Sequence, residues 1–123
     1  MNHHYNFNEL LDAEMLNSLY EGDMEHAGMV FEEFVQLAPV QMKEIEFRYA
    51  TGIVEPFREK VHKIKPVFSF VGLSQLTTKA ELIEQKCRMI NNISEIEELY
   101  VDFKNMFTVQ LPVVKAELEK MKS

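Results

Sequence analysis

Val54-Glu55-Pro56-Phe57-Arg58-Glu59-Lys60-Val61-His62-Lys63-Ile64-Lys65-Pro66-Val67-Phe68-Ser69-Phe70-Val71 carries apolar residues at 54, 57, 61, 64, 68 and 71, an unbroken three-four alternation. An α-helix needs that spacing to turn one stripe toward a core. Pro56 suits the first turn, where a missing N–H costs no intrahelical bond.

The segments on either side share the period. Upstream, Asp23 to about Ala50 places Phe31, Phe34, Ala38, Met42, Ile45 and Tyr49 on one face. Pro39 interrupts this segment, but the period continues across it, so a bend is expected rather than a break. A short helix is predicted before it, from Asn8 to Tyr20. Downstream, Ser74 is a good N-cap for a helix with Leu76, Ala80, Ile83, Cys87 and Ile90 on one face. Ser94-Glu95-Ile96-Glu97 reads as a capping box opening a last helix, with Ile96, Tyr100, Phe103, Phe107, Leu111, Val114 and Leu118 as its stripe and a bend at Pro112. Turn signals separate the segments at Glu21-Gly22-Asp23, Thr51-Gly52, Gly72-Leu73-Ser74 and Asn91-Asn92. The expected fold is all-α: an antiparallel four-helix bundle with an additional short N-terminal helix covering one end.

Composition agrees. The 123 residues suit one domain, 1–123, with residues 1–7 as a flexible N-terminus. The formal charge of −7 opposes contact with nucleic-acid backbones and anionic membranes, so neither is expected as a partner. Cys87 is the one cysteine, which excludes an intrachain disulfide and fits a reducing compartment. Residues 1–14 lack a signal-peptide apolar stretch, and the apolar runs are too short to span a bilayer. A cytoplasmic protein is expected. The stripes are used up within one chain, which favours a monomer.

His62 stands apart from this pattern. At about 100° per residue it lies roughly 130° from the centre of its helix's stripe, facing solvent or a helix-helix seam. Arg58, Lys65 and Ser69 share its flank, and Lys65 is one turn on. An accessible imidazole offers a ring-nitrogen lone pair to phosphorus, and a nearby lysine offers a charge to phosphoryl oxygens. A carboxylate on an adjacent helix would hold the other ring N–H, and Glu84 is the candidate. The blander alternative is a surface histidine beside a surface lysine; periodicity alone leaves both open.

The stretch from Val61 to Leu73 resembles the signature of the histidine phosphotransfer family: histidine, any residue, leucine, lysine, a small residue, and glycine ten positions after the histidine. His62, Ile64 in place of leucine, Lys65 and Gly72 fit it. Ala80, Ile83 and Glu84 occupy recurring positions of the family's next helix. Glu21-Gly22-Asp23, Phe31-Glu32-Glu33-Phe34 and Ala38-Pro39 are similar to its approach segment, so the likeness covers roughly residues 8–90. It implies phosphorylation of His62 at Nε2, attraction of phosphoryl oxygens by Lys65, and a bond from Nδ1–H to Glu84. It also implies response-regulator receiver domains and a sensor or hybrid histidine kinase as partners. Mg²⁺ would come from the receiver, leaving this chain no cofactor or kinase activity of its own. Arg58, Pro66, Ser69 and Gly72 would flank the site. Pro66 stands where glycine is commonest, and Val67 and Phe68 replace small hydroxyl residues.

Other readings are weaker. Glu59-Lys60-Val61-His62 spells the E-x-x-H of di-iron bundles, but no second copy exists, so no metal is expected. His3, His4 and His26 read as solvated, and the eight methionines mostly as core filler, with Met15, Met24 or Met29 as possible docking residues. No Gly-rich phosphate loop, Ser/His/Asp grouping or nucleotide motif appears. The rival class is a helical adaptor that binds a signalling partner without carrying phosphate.

Overall fold

A computed structural model describes residues 4–122. Among them all regular structure is helical, in five α-helices: α1 (Ala13–Tyr20), α2 (Met24–Thr51), α3 (Val54–Ser69), α4 (Ser74–Cys87) and α5 (Glu97–Lys122), with a single 3₁₀ turn at Ile93–Ile96 before α5. α3 packs on α4 and α2, and α5 packs on α2 and α4, so the four longer helices close a ring around one core; α1 rests on α2. No helix among the described residues is long and apolar enough to cross a membrane.

The expected stripes form the core. Phe31, Phe34, Ala38, Met42 and Ile45 of α2, Phe57, Val61, Ile64 and Phe68 of α3, and Leu76, Ala80, Ile83 and Cys87 of α4 are buried. Phe68 meets Phe34 and Phe103 edge-on and Phe107 at a tilt, with ring centroids 5.9–6.3 Å apart. Removing such a ring leaves a void its neighbours fill only in part, a cost of about 3–5 kcal/mol. Pro39 and Pro112 lie inside continuous helices.

The ends depart from the sequence expectation. α1 begins at Ala13 rather than Asn8, because Asp12 is its N-cap and accepts the Met15 N–H at 3.1 Å. Within the N-terminal segment, Phe7 is buried against Phe31, and the Tyr5 N–H donates to Asn17 Oδ1 at 2.7 Å. His3 lies outside the described residues, and His4 Nε2 is 3.3 Å from Asn6 Oδ1. Ser74 is the first residue of α4 rather than its cap, and its hydroxyl donates to Asp12 Oδ2. At the last helix the cap is Asn92, not Ser94: its side chain accepts the Ser94 N–H while Glu95 accepts the N–H of Asn92. The 3₁₀ turn separates this cap from α5.

Among the described methionines Met42 is buried, Met24, Met106 and Met121 pack partly buried against the core, and Met29 and Met89 are exposed. Gln110 and Glu117, which lie off the expected stripe, are buried on α5 instead, whereas Leu111 is only half-buried.

Candidate functional site

α3 and α4 pack against each other along a seam, and His62 and Glu84 face each other across it. The His62 side chain is 62% exposed and that of Glu84 4%, with 2.7 Å between His62 Nδ1 and Glu84 Oε1. A carboxylate can only accept, so Nδ1 carries the proton, and in the neutral ring Nε2 is then the nitrogen with the lone pair. The seam fixes the tautomer that nucleophilic attack from Nε2 requires.

Lys65 is also on this seam, bound to the carboxylate rather than extended into solvent: its Nζ is 2.5 Å from Glu84 Oε2. Arg58, one turn before His62, brings Nη1 to 3.5 Å from Glu84 Oε1. Its other nitrogens are held by Glu55, through Nε at 3.1 Å from both carboxylate oxygens and Nη2 at 2.5 Å. A single buried carboxylate thus meets three nitrogen groups from α3. Burial pushes the Glu84 carboxyl upward, and the pairing with Lys65 and the hydrogen bond from His62 outweigh it, holding the group below the usual carboxylate range.

The other expected flanking residues, Ser69, Gly72 and Pro66, lie farther along α3 and just past its end. Ser69 turns its hydroxyl to Thr77 at 3.3 Å, on the same seam but two turns from His62. Gly72 is structural: at φ +76° its carbonyl accepts the Asp12 N–H at 2.8 Å, and a Cβ there would meet Leu16 Cδ1 at 2.7 Å. Pro66 is exposed in the last turn of α3, which stays continuous across it. Phe68 is buried on the side of α3 away from the seam, so its bulk does not crowd His62.

Near the other flank of α3 is a half-open recess of about 350 Å³, with Leu19, Tyr20, Val30, Leu37, Val67 and Phe70 in its mostly apolar wall. Tyr20 is fixed there by its hydroxyl, which donates to the Phe70 carbonyl at 2.7 Å. Val67 is about 7.5 Å beyond His62 along the helix axis. The recess was foreseeable only as a general apolar patch, since it forms where α1, α2 and α3 meet. Glu55 as the brace of Arg58 was missed, although its i, i+3 spacing was readable.

Cys87, one turn past Glu84, is buried and its thiol is pushed up to about 11 by desolvation. Glu59 is exposed, and among the described residues no group of three or more His, Cys, Asp or Glu side chains is gathered to hold a metal ion. No protein-family model, curated protein or solved structure matches the chain.

Proposed function

We propose that the chain is a phosphorelay intermediate, a cytoplasmic histidine phosphotransfer protein built as an antiparallel four-helix bundle with α1 across one end. The observation that carries this reading is the exposed His62 ring held through Nδ1 by the buried Glu84. The motif around His62 and the recess near the other flank of α3 add support, the recess as a seat for a receiver domain.

In this reading the Nε2 lone pair attacks the phosphorus of a receiver's aspartyl phosphate. The N–P bond forms as the acyl phosphate P–O bond breaks, and the aspartate leaves as a carboxylate. The proton on Nδ1 stays in place, and Glu84 balances the positive ring. Lys65 exchanges Glu84 for the phosphoryl oxygens, where its charge is needed. Transfer onward is the reverse step with a second receiver. Mg²⁺ belongs to the receiver, and this chain supplies nucleophile, tautomer and counter-charge.

The test is phosphoryl transfer from a labelled receiver domain to wild type and to His62→Gln, with circular dichroism confirming that both are folded. Label on wild type alone supports the proposal. Equal label on both rejects His62 as acceptor, and receiver binding without transfer favours the phosphate-free adaptor.

A further inference from the structure

The proposed transfer leaves one electrostatic demand unmet. Glu84 is almost fully buried, and its closest cation is Lys65. When Lys65 turns to the phosphoryl oxygens, the carboxylate loses that partner at the moment the imidazole gains positive charge. A buried carboxylate deprived of its cation tends to take up a proton, and a protonated Glu84 would no longer oppose the charge on the ring.

We propose that Arg58 is a positioning residue for this site, a standby counter-ion that takes over Glu84 when Lys65 leaves it, and that Glu55 holds it ready. This rests on the phosphotransfer reading above. Arg58 and Lys65 bracket His62 one turn before and one turn after, and both reach the same carboxylate from α3. The two contacts differ in kind. Lys65 makes a direct ion pair, whereas Arg58 Nη1 stands off at 3.5 Å with its Nε and Nη2 already occupied by Glu55. Glu55 therefore fixes the guanidinium plane and leaves Nη1 facing the seam. A movement of a few tenths of an ångström completes the contact.

The chemistry of the two cations suits the division. The lysine ammonium is a mobile point charge on a flexible stem, fit to leave; the guanidinium is planar and charged at every working pH, fit to stay. The groups bearing on Glu84 are Lys65, His62 and Arg58 from α3 and, on α4 itself, the neutral thiol of Cys87.

The first test needs no phosphate. The Glu84 side-chain carboxyl carbon, identified by its loss in Glu84→Gln, is titrated by NMR in wild type, Lys65→Met, Arg58→Gln and the double variant. Lys65→Met mimics the departed lysine. The double variant is expected to titrate at least about one pH unit above Lys65→Met. Coincidence of those two titrations overturns the proposal. The second test is the pH profile of transfer from a phosphorylated receiver. Arg58→Gln is expected to slow transfer several-fold and to move its acid limb upward, with Arg58→Lys restoring most of the rate. Wild-type rate and profile in Arg58→Gln remove the role of Arg58 and leave phosphotransfer standing. Failure to label wild type removes the transfer reading, and the role of Arg58 with it.

Discussion

Nδ1 of His62 stands 2.7 Å from Oε1 of Glu84, an exposed ring held by a buried carboxylate across the α3–α4 seam. The arrangement restrains the imidazole without covering it. It also ties the site to stability, since the carboxylate is lodged between two helices of the ring and is neutralised by side chains from one of them.

That tie has a pH signature. The folded state holds the Glu84 carboxyl below its ordinary value near 4.5. A depressed carboxyl contributes stability above its unfolded pKa and loses that contribution as pH falls through the folded value. Wild type should therefore lose stability below about pH 4.5 more steeply than Glu84→Gln, and at pH 7 the substitution should cost about 1–2 kcal/mol. Urea denaturation midpoints at pH 7 and pH 4 measure both. Parallel losses in the two proteins would detach Glu84 from acid sensitivity.

Gly72→Ala should destabilise the fold by about 2 kcal/mol or more, because the left-handed backbone is strained for alanine and the new methyl meets Leu16 and the Asp12 backbone. Thermal unfolding checks this, and a melting temperature equal to wild type's would contradict it. Such a loss would tie Gly72 to the Asp12 backbone contact and the packing of Leu16, apart from the His62 seam.

Cys87 is buried and its thiol is pushed up to about 11, so alkylation by iodoacetamide at pH 8 should be very slow in the native protein and fast in denaturant. Mass spectrometry after timed labelling reads the ratio directly. Rapid native labelling would mean that the end of α4 opens readily.

Leu37→Glu should weaken receiver binding by about tenfold or more while leaving the melting temperature within a degree or two, since Leu37 lines the recess yet is half-exposed in the free protein. Calorimetry against a receiver domain tests it. Unchanged affinity would place docking elsewhere on the surface.

The body of each helix was legible in the sequence because each long helix turns one face to a single core, which forces the three-four spacing seen from Phe31 to Leu118. The ends were not. The Asn92 cap competes with Ser94 within two residues, and periodicity does not choose between them. Phe7 and Leu11 pack from outside any helix, so no period marks them. At the site, angular position set His62 off its helix's apolar stripe and made Glu84 a candidate partner on the next helix. The capture of Lys65 by Glu84 did not, because it depends on how deeply the α3–α4 seam buries that carboxylate.

The central claim is that His62 carries phosphate on Nε2. Phosphorus-31 NMR of the protein after incubation with a phosphorylated receiver and Mg²⁺ tests it most directly. The expected result is one acid-labile, alkali-stable phosphohistidine resonance with the phosphate on Nε2, absent from His62→Gln. An acid-stable phosphate, or a phosphohistidine signal that persists in His62→Gln, would contradict the account.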